Sequence, residues 1–172
     1  MGYALVGLAP GTAEGVQGVI VYLAIYLVMT LGTFAFILSL RRDGKMVEEI
    51  SQLSGLSRTS PLMALMLAIL LFSLAGIPPL AGFFAKFYVF LAAIESGLYA
   101  LAVIGVLLSV VGAFYYLRIV KIMYFDEPVE SFEPMPRILA AVLGTSGVLI
   151  LFFSIYPAPL VAAAGVAAKS LF

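Results

Sequence analysis

The chain has 172 residues, of which 64% are hydrophobic and only 10% are charged. Soluble domains carry about 25% charged residues, so these charges are too few to cover a water-facing surface, and the composition indicates an integral membrane protein. Nine basic and nine acidic residues cancel, which argues against a nucleic-acid-binding surface. Because the sequence has no Cys and no His, it excludes disulfides, haem ligation through His and nearly all transition-metal sites.

Apolar blocks along the chain have the length of membrane-spanning helices, which need about 20 residues each. A short apolar stub, Met1–Ala9, comes first and is closed by Pro10 and Gly11. The stub is too short to cross a membrane, and no partner for it is evident within the chain. Either it packs as a half-helix on a partner, or the chain begins inside what was once a longer helix. The four longer blocks are residues 15–40, Leu62–Ile94, 98–117 and the stretch that follows Arg137 and ends at Tyr156.

The block Leu62–Ile94 is unusual in its length and its composition. As one helix rising about 1.5 Å per residue it would be about 50 Å long, whereas the hydrocarbon core of a bilayer is about 30 Å thick. Prolines and glycines interrupt its middle, at Gly76, Pro78, Pro79 and Gly82. The block therefore forms either two short spans joined by a tight turn or one span with an unwound centre.

The basic residues decide between these arrangements through the positive-inside rule. One discontinuous span puts most of them on a single, cytoplasmic side, whereas two separate spans divide them between both faces. We therefore predict an all-α integral membrane fold with four transmembrane helices, an N-terminal partial helix and a discontinuous second span, in one transmembrane domain over residues 1–172. The predicted cytoplasmic residues are Arg41, Arg42, Lys45, Arg58, Arg118, Lys121 and Arg137, and Glu14, Glu95 and Lys169 fall on the opposite side.

Two polar segments connect the blocks on the predicted cytoplasmic side. Within residues 43–60, Met46, Ile50 and Leu53 recur at helical spacing. This pattern fits a short amphipathic helix on the membrane surface or, equally, a solvated loop. Residues 126–136 combine four acidic side chains with three prolines, a composition typical of an extended loop.

Lys86 is the charged residue that lies deep within an apolar block. It precedes Glu95 by nine residues, so a helical rise places it about 13 Å inside that boundary, close to the bilayer centre. A lysine at this depth costs about 2.5–3.5 kcal/mol on insertion scales and is too deep to reach the interface comfortably. Such a residue either ties helices together through a partner or relays protons or ions, and we favour the relay.

The interruption beside Lys86 supports this interpretation. Pro78 and Pro79 have no N–H group, so two carbonyl groups lose their helical partners. These belong to Leu74 and Ala75, and unpaired carbonyls at membrane depth are tolerated only against protein or water. Broken helices form midplane sites in many transporters. We place Lys86 in the first turn after the break, where the helix dipole and desolvation disfavour the ammonium and the freed carbonyls favour it. We expect it to gain and lose a proton near neutral pH.

Other polar and small residues in the blocks are interpreted as structural rather than functional. Ser73 and Ser109 have hydroxyls that can hold water, and Gly105 and Gly112 suit close packing between helices. The remaining members of this group are Tyr22, Tyr26, Thr30 and Thr33 on the first block, Tyr88 beside Lys86, and the tyrosines assigned to the aromatic belt at the membrane interface, Tyr115, Tyr116, Tyr124 and Tyr156.

The segment Leu74–Tyr88, with the sequence LAGIPPLAGFFAKFY, carries a specific resemblance. It resembles the broken twelfth helix of the antiporter-like membrane subunits of bacterial NADH–quinone oxidoreductase, or respiratory complex I. Tyr115–Arg118 is similar to a later motif of that family, Met1–Leu5 resembles the end of its tenth helix, and Ile50–Pro61 resembles a connecting loop. The resemblance covers the whole chain, which corresponds to the C-terminal part of such a subunit.

This resemblance implies a proton-translocating subunit in the membrane arm of an oxidoreductase. Lys86 then corresponds to the proton-relay lysine, and Gly76–Gly82 to the helix break. The glutamate and lysines that the family carries on earlier helices have no counterpart in this sequence. If the chain is a complete polypeptide, those N-terminal helices come from another chain, or this copy is truncated.

The resemblance also implies no cofactor and no metal site in this chain, because NADH, FMN, the iron–sulfur clusters and quinone are expected in other subunits. The expected partners are other membrane-arm subunits and the lipid bilayer, without nucleic acid, in the bacterial inner membrane. Two alternatives stay open. One is a subunit of a multi-subunit cation/proton antiporter, which shares the broken helix and the lysine; the other is a structural fragment without its own proton path.

Overall fold

The computed structural model describes residues 2–172, so Met1, the first residue of the predicted stub, lies outside the description. Helices dominate these residues, and the predicted all-α class is confirmed. The helices are α1 (Gly2–Leu8), α2 (Ala13–Ser39), α3 (Leu56–Thr59), α4 (Pro61–Ala75), α5 (Ala81–Glu95), α6 (Tyr99–Phe125), α7 (Arg137–Ile155) and α8 (Ala158–Lys169). Of these, α2, α6 and α7 are long and apolar enough to cross a membrane, and α4 and α8 are shorter apolar helices.

Helix α2 is the centre of the bundle and packs against α4, α5, α7 and α8. Thr12 caps its N-terminus, since its Oγ1 accepts a hydrogen bond from the Gly15 N–H at 3.1 Å. This bond satisfies one of the N–H groups that the first turn of a helix leaves free. No proline follows within the helix, so its backbone hydrogen bonds run uninterrupted over 27 residues.

Contacts along α2 show the order in which its neighbours lie. A Cβ atom at Gly18 would stand 3.2 Å from the carbonyl carbon of Tyr88 in α5. A Cβ atom at Gly32 would stand 2.6 Å from side-chain atoms of Leu70 in α4 and Ser146 in α7. Helix α5 therefore lies beside the first half of α2, and α4 lies beside its second half. The chain thus runs through α4 and then α5 antiparallel to α2.

Helix α1 is the N-terminal stub, and it packs on helices of its own chain. A Cβ atom at Gly7 would stand 2.6 Å from Val19 in α2 and 3.4 Å from Val89 in α5. Tyr3 meets Tyr22 of α2 edge-on, with ring centroids 6.0 Å apart. The expectation that the stub has no partner within the chain is therefore wrong, because α2 and α5 provide one.

Helix α6 lies beside α5 and continues past α4. A Cβ atom at Gly105 would stand 2.6 Å from the ring of Phe90, so the predicted close packing is confirmed at this position. At Gly112 no described atom outside its own stretch of α6 lies within 4 Å of the Cβ position, so close packing there stays a prediction.

Helix α8 is an element that is not predicted from the sequence, since the last predicted apolar block ends at Tyr156. Pro157 caps the helix, and Pro159 lies in its first turn. Proline is tolerated in the first turn of a helix, where its missing N–H would have no partner. Gln17 of α2 anchors the new helix, because its Nε2 donates a hydrogen bond to the Val161 carbonyl at 2.9 Å.

A hairpin follows α2 and replaces the amphipathic helix or solvated loop expected over residues 43–60. Strand β1 (Arg41–Arg42) pairs antiparallel with β2 (Lys45–Met46). The turn residues Asp43 and Gly44 both have positive φ, as a two-residue hairpin turn requires. A 3₁₀ helix (Ile50–Leu53) and α3 then lead into α4, so short ordered elements occupy the segment.

The acidic segment 126–136 is extended, as predicted, and folds back onto the hairpin. The Glu133 Oε1 atom accepts a hydrogen bond from the Gly44 N–H at 2.7 Å. Arg42 donates to the backbone carbonyl of Glu130. These bonds join the end of α2 to the connection between α6 and α7 at one end of the bundle.

Replacing Gly32 with Ala is expected to destabilise the bundle, because the added Cβ would overlap Leu70 and Ser146. Overpacking of this kind costs about 1–3 kcal/mol, which would lower the melting temperature of the purified protein in detergent. Gly112→Ala is the matched control, since its Cβ meets no described atom and alanine favours a helix by about 1 kcal/mol over glycine. Equal melting temperatures for the two variants would contradict the packing.

Candidate functional site

The connection between α4 and α5 interrupts the apolar block where the sequence predicted. Helix α4 ends at Ala75 and is capped by Gly76, which has a φ of 85° and therefore a left-handed conformation that favours glycine. The Gly76 N–H donates to the carbonyls of Phe72 and Ser73 at 3.1 and 3.0 Å, which closes the last turn of α4. Pro78 and Pro79 lie in the connection itself.

The start of α5 is bonded back to the end of α4. The Gly82 N–H donates a hydrogen bond to the Ser73 Oγ at 2.9 Å, and both residues are buried. A Cβ atom at Gly82 would collide with the Ser73 carbonyl oxygen. Gly82 is therefore required for the close approach of the two helices, and Ser73, interpreted from the sequence as structural, forms the bond between them.

Lys86 reaches from α5 back to the carbonyl end of α4. Its Nζ donates to the carbonyl oxygens of Leu74 at 3.0 Å and Ala75 at 3.1 Å. A third bond, at 2.8 Å, goes to the Ser109 Oγ on α6. The two carbonyls are those that Pro78 and Pro79 were predicted to leave without helical partners, so the structure brings together the lysine and the break.

One detail of the sequence prediction is wrong. Because α5 already begins at Ala81, Lys86 is its sixth residue and lies in the second turn rather than the first. The influence of a helix dipole falls off within the first turn, so the positive end of α5 acts on Lys86 less than expected. The carbonyl end of α4, which carries the negative end of a dipole, is the closer influence and favours the ammonium.

The face of an aromatic ring completes the surroundings of Lys86. Its Nζ lies 5.1 Å from the centroid of the Tyr3 ring, a distance typical of a cation–π contact. Within the described residues Lys86 forms no ion pair. Carbonyl groups, a hydroxyl and a ring therefore provide the compensation for the charge.

A row of tyrosine rings begins at Tyr3, which contacts Lys86, and continues on α2. Tyr3 contacts Tyr22, and Tyr22 stacks on Tyr26 with ring centroids 5.6 Å apart. Tyr116, which the sequence placed in the aromatic belt, instead packs partly buried against the core. The ring that contacts Lys86 is thus that of Tyr3, and the Tyr22 and Tyr26 rings lie beyond it on α2.

Sequence reasoning missed two of the residues that contact Lys86. Tyr3 was noted only as part of the stub, and Ser109 was interpreted as structural. Both are distant from Lys86 along the chain, and each reaches it only through the packing of α1 and α6 on α5. No local pattern marks them, although a small polar residue in an apolar helix such as Ser109 is a general signal for a contact between helices.

Similarity to known proteins extends over the whole chain. Residues 1–112 match the family model described as NADH:quinone oxidoreductase/Mrp antiporter, TM. The chain is 65% identical over 172 residues to NADH-quinone oxidoreductase subunit N of Parvibaculum lavamentivorans, and this match covers 99% of the chain. The chain spans about 36% of the length of that curated relative, in its C-terminal portion.

The fold is also similar to chains in two solved complexes. One chain belongs to respiratory complex I from Thermus thermophilus with bound Aureothin and matches with a TM-score of 0.80 and 32% sequence identity. This match covers 95% of the present chain and 37% of the Thermus chain. The other belongs to the Mrp complex from Dietzia sp., with a TM-score of 0.87, 25% identity, and coverage of 99% and 40%. The resemblance to the antiporter-like subunits is therefore confirmed, and within that family the chain resembles subunit N.

Replacing Gly76 with Ala is expected to destabilise the protein in two ways. The left-handed backbone conformation costs a residue with a side chain about 1–2 kcal/mol, and the new Cβ would stand 3.1 Å from the Lys86 Nζ and Cδ. Gly97→Ala is the matched control, because Gly97 also has a positive φ, 78°, but meets no described atom within 4 Å. Melting temperatures in detergent measure both effects.

To isolate the loss of stability that comes from crowding against Lys86, both substitutions are repeated in a Lys86→Ala background. In the parent protein we expect Gly76→Ala to lower the melting temperature more than Gly97→Ala does. In the Lys86→Ala background we expect the two substitutions to lower it about equally, because the crowded side chain is then gone. A difference that persists without the lysine would show that Gly76 is not packed against it.

Proposed function

Because this chain belongs to the NADH:quinone oxidoreductase/Mrp antiporter transmembrane family, we propose that it is part of a proton-translocating membrane-arm subunit of a bacterial NADH–quinone oxidoreductase. In this proposal Lys86 takes up and releases the proton, next to the helix break formed by Gly76, Pro78, Pro79 and Gly82. The subunit couples proton movement to quinone reduction elsewhere in the complex. The high identity to a subunit N relative favours this assignment.

The observation that carries the proposal is the set of acceptors around the Lys86 Nζ. An ammonium group has three N–H donors, and two carbonyls and one hydroxyl of the described residues accept from it. A charged lysine inside an apolar bundle is expensive unless it is compensated, and this arrangement compensates it without an ion pair. The charge can therefore be lost and regained without breaking a bond to a carboxylate.

We further propose that the chain crosses the membrane four times and that α4 and α5 together form one discontinuous span. The positions of α5 and α4 along α2 support this, since the two helices follow one another opposite to α2. The ends of the bundle support it as well. Arg58, just before α4, forms an ion pair with Glu127, just after α6, with 3.2 Å between Nη1 and Oε2.

The redox chemistry of such an enzyme is assigned to other subunits in this proposal. NADH, FMN, the iron–sulfur clusters and quinone bind there, and this chain provides no redox centre. Its partners are the other membrane-arm subunits, the surrounding lipid and the helices that its longer relatives carry before this portion. Its location is the bacterial inner membrane, which it crosses several times.

A cation/proton antiporter is the second candidate, because the Mrp chain from Dietzia shares the fold over 99% of this chain. Its 25% identity is well below the 65% identity to the subunit N relative. Mass spectrometry of the complex purified through this chain distinguishes the two. Iron–sulfur subunits among the neighbours support the oxidoreductase, and antiporter subunits alone support the antiporter.

Substitution of Lys86 tests the relay. Lys86→Ala and Lys86→Met remove the titratable group and the cost of burying it, but they also remove the donors to the Leu74 and Ala75 carbonyls. In complexes shown to be assembled, NADH-driven proton pumping should fall about tenfold or more. Lys86→Arg keeps a charge that proteins do not release, so it should also impair pumping. Pumping is measured in inverted membrane vesicles, and Lys169→Ala, at an exposed position near the C-terminus, is the matched control.

Two results would contradict the relay. Full pumping by an assembled Lys86→Ala complex would remove the lysine from the mechanism and favour a structural role for the chain. Pumping by Lys86→Arg near the parent rate, with Lys86→Ala inactive, would show that only a static positive charge is needed.

Labelling of introduced cysteines tests the proposed topology, and the natural absence of Cys gives a clean background. Cysteines replacing the exposed residues Glu48 and Glu127 should react with a membrane-impermeant maleimide from the cytoplasmic side. A cysteine replacing the exposed Ser96 should react from the opposite side. If positions 48 and 127 react from opposite sides, the discontinuous span is wrong.

A further inference from the structure

The partners of the Lys86 Nζ differ in what they can do when the lysine loses a proton. The described residues place four groups against it: the carbonyls of Leu74 and Ala75, the Ser109 hydroxyl and the face of the Tyr3 ring. Carbonyl oxygens only accept hydrogen bonds, and the face of a ring has no proton to give. A hydroxyl both accepts and donates. Ser109 is therefore the partner that can follow the lysine through both protonation states.

The Ser109 hydroxyl differs from three other hydroxyls on the long helices, because none of the described residues accepts its proton. Thr33, Ser39 and Ser154 each donate their proton to a carbonyl of their own helix, at 2.8, 2.6 and 2.7 Å. Ser109 accepts from Lys86 at 2.8 Å, and none of the described residues accepts its own proton. Its proton is therefore available for a further acceptor.

Ser109 is not fully enclosed by the described residues. Ser109 is half-buried, and α6, on which it lies, is mostly exposed along its length. A water molecule is the simplest acceptor there, because it can bond to a hydroxyl and carry a proton onward.

We propose that the Ser109 hydroxyl is the group through which Lys86 exchanges its proton, an inference that rests on the proposed function. In the releasing step, an N–H bond of the ammonium breaks as an O–H bond forms at the Ser109 Oγ. The original serine proton passes to the water molecule, which carries the positive charge away. The neutral amine then accepts a hydrogen bond from the Ser109 O–H through its lone pair, and uptake reverses these steps.

Two substitutions of nearly equal size test the hydroxyl. Ser109→Thr keeps it, whereas Ser109→Val replaces it with a methyl group of similar volume. In inverted vesicles with NADH as the donor, Ser109→Val should lower proton pumping about tenfold or more, and Ser109→Thr should stay within about threefold of the parent. Ser109→Ala, which adds no bulk, should lower proton pumping as much as Ser109→Val does. If the Ser109→Val complex does not assemble, the Ser109→Ala complex decides the result.

Ser154→Ala is the matched control, because Ser154 is also a half-buried helix serine but bonds to its own helix. The inference is overturned if Ser109→Ala or Ser109→Val pumps within about twofold of the parent, or if Ser109→Thr loses as much as Ser109→Val. Lys86→Ala, measured in parallel, separates the two proposals. If Lys86→Ala stops pumping but Ser109→Ala does not, only the proposed role of Ser109 is wrong. If Lys86→Ala pumps at the full rate, the proposed relay through Lys86 is wrong as well.

Discussion

The hydrogen bonds from the Lys86 ammonium to the end of α4 are the interaction on which the site depends. Two prolines remove two backbone N–H groups from the middle of an apolar block, and the Nζ supplies donors to the two carbonyls concerned. A helix end inside an apolar bundle is costly when its carbonyls are unpaired. The lysine and the break therefore compensate one another, since the carbonyls need a donor and the ammonium needs acceptors.

The packing around α2 holds this arrangement in position. Between helices in lipid there is little hydrophobic driving force, so close contact of backbones and small side chains carries much of the association. Gly18 and Gly32 bring α5 and α4 against the same central helix, and Gly105 lets α6 approach α5 through Phe90. This last contact lies one turn from Ser109, so the same packing sets the distance from Ser109 to Lys86.

The parts of the structure that local rules govern were predictable from the sequence. The long apolar helices, the break and the freed carbonyls follow from block length and from the missing N–H groups of Pro78 and Pro79. The hairpin at Asp43-Gly44 follows a local rule as well, since Asp-Gly favours a two-residue turn, but only a helix or a loop is predicted above for this segment. Helix α8 was missed because proline both ends and begins helices.

Contacts between distant parts of the chain were not predictable in this way. Tyr3 and Ser109 meet Lys86 only because α1 and α6 pack on α5, and the spacing of residues along one helix carries no information about a neighbouring helix. Gly105 and Gly112 illustrate the same limit. They are seven residues apart on α6, yet one faces Phe90 and the other meets no described residue of another element, and the difference depends on where α5 lies.

The bond between the Ser73 Oγ and the Gly82 N–H has a mechanical consequence for the joint between α4 and α5. This bond joins two groups that stay neutral, so it persists whatever the charge of the lysine. The bonds from Lys86 to the same end of α4 lose a donor when a proton leaves. The joint is thus fixed at one point and adjustable at another. Loss of the charge at Lys86 would therefore weaken the contact at the carbonyl end of α4 while the contact between Ser73 and Gly82 stays in place.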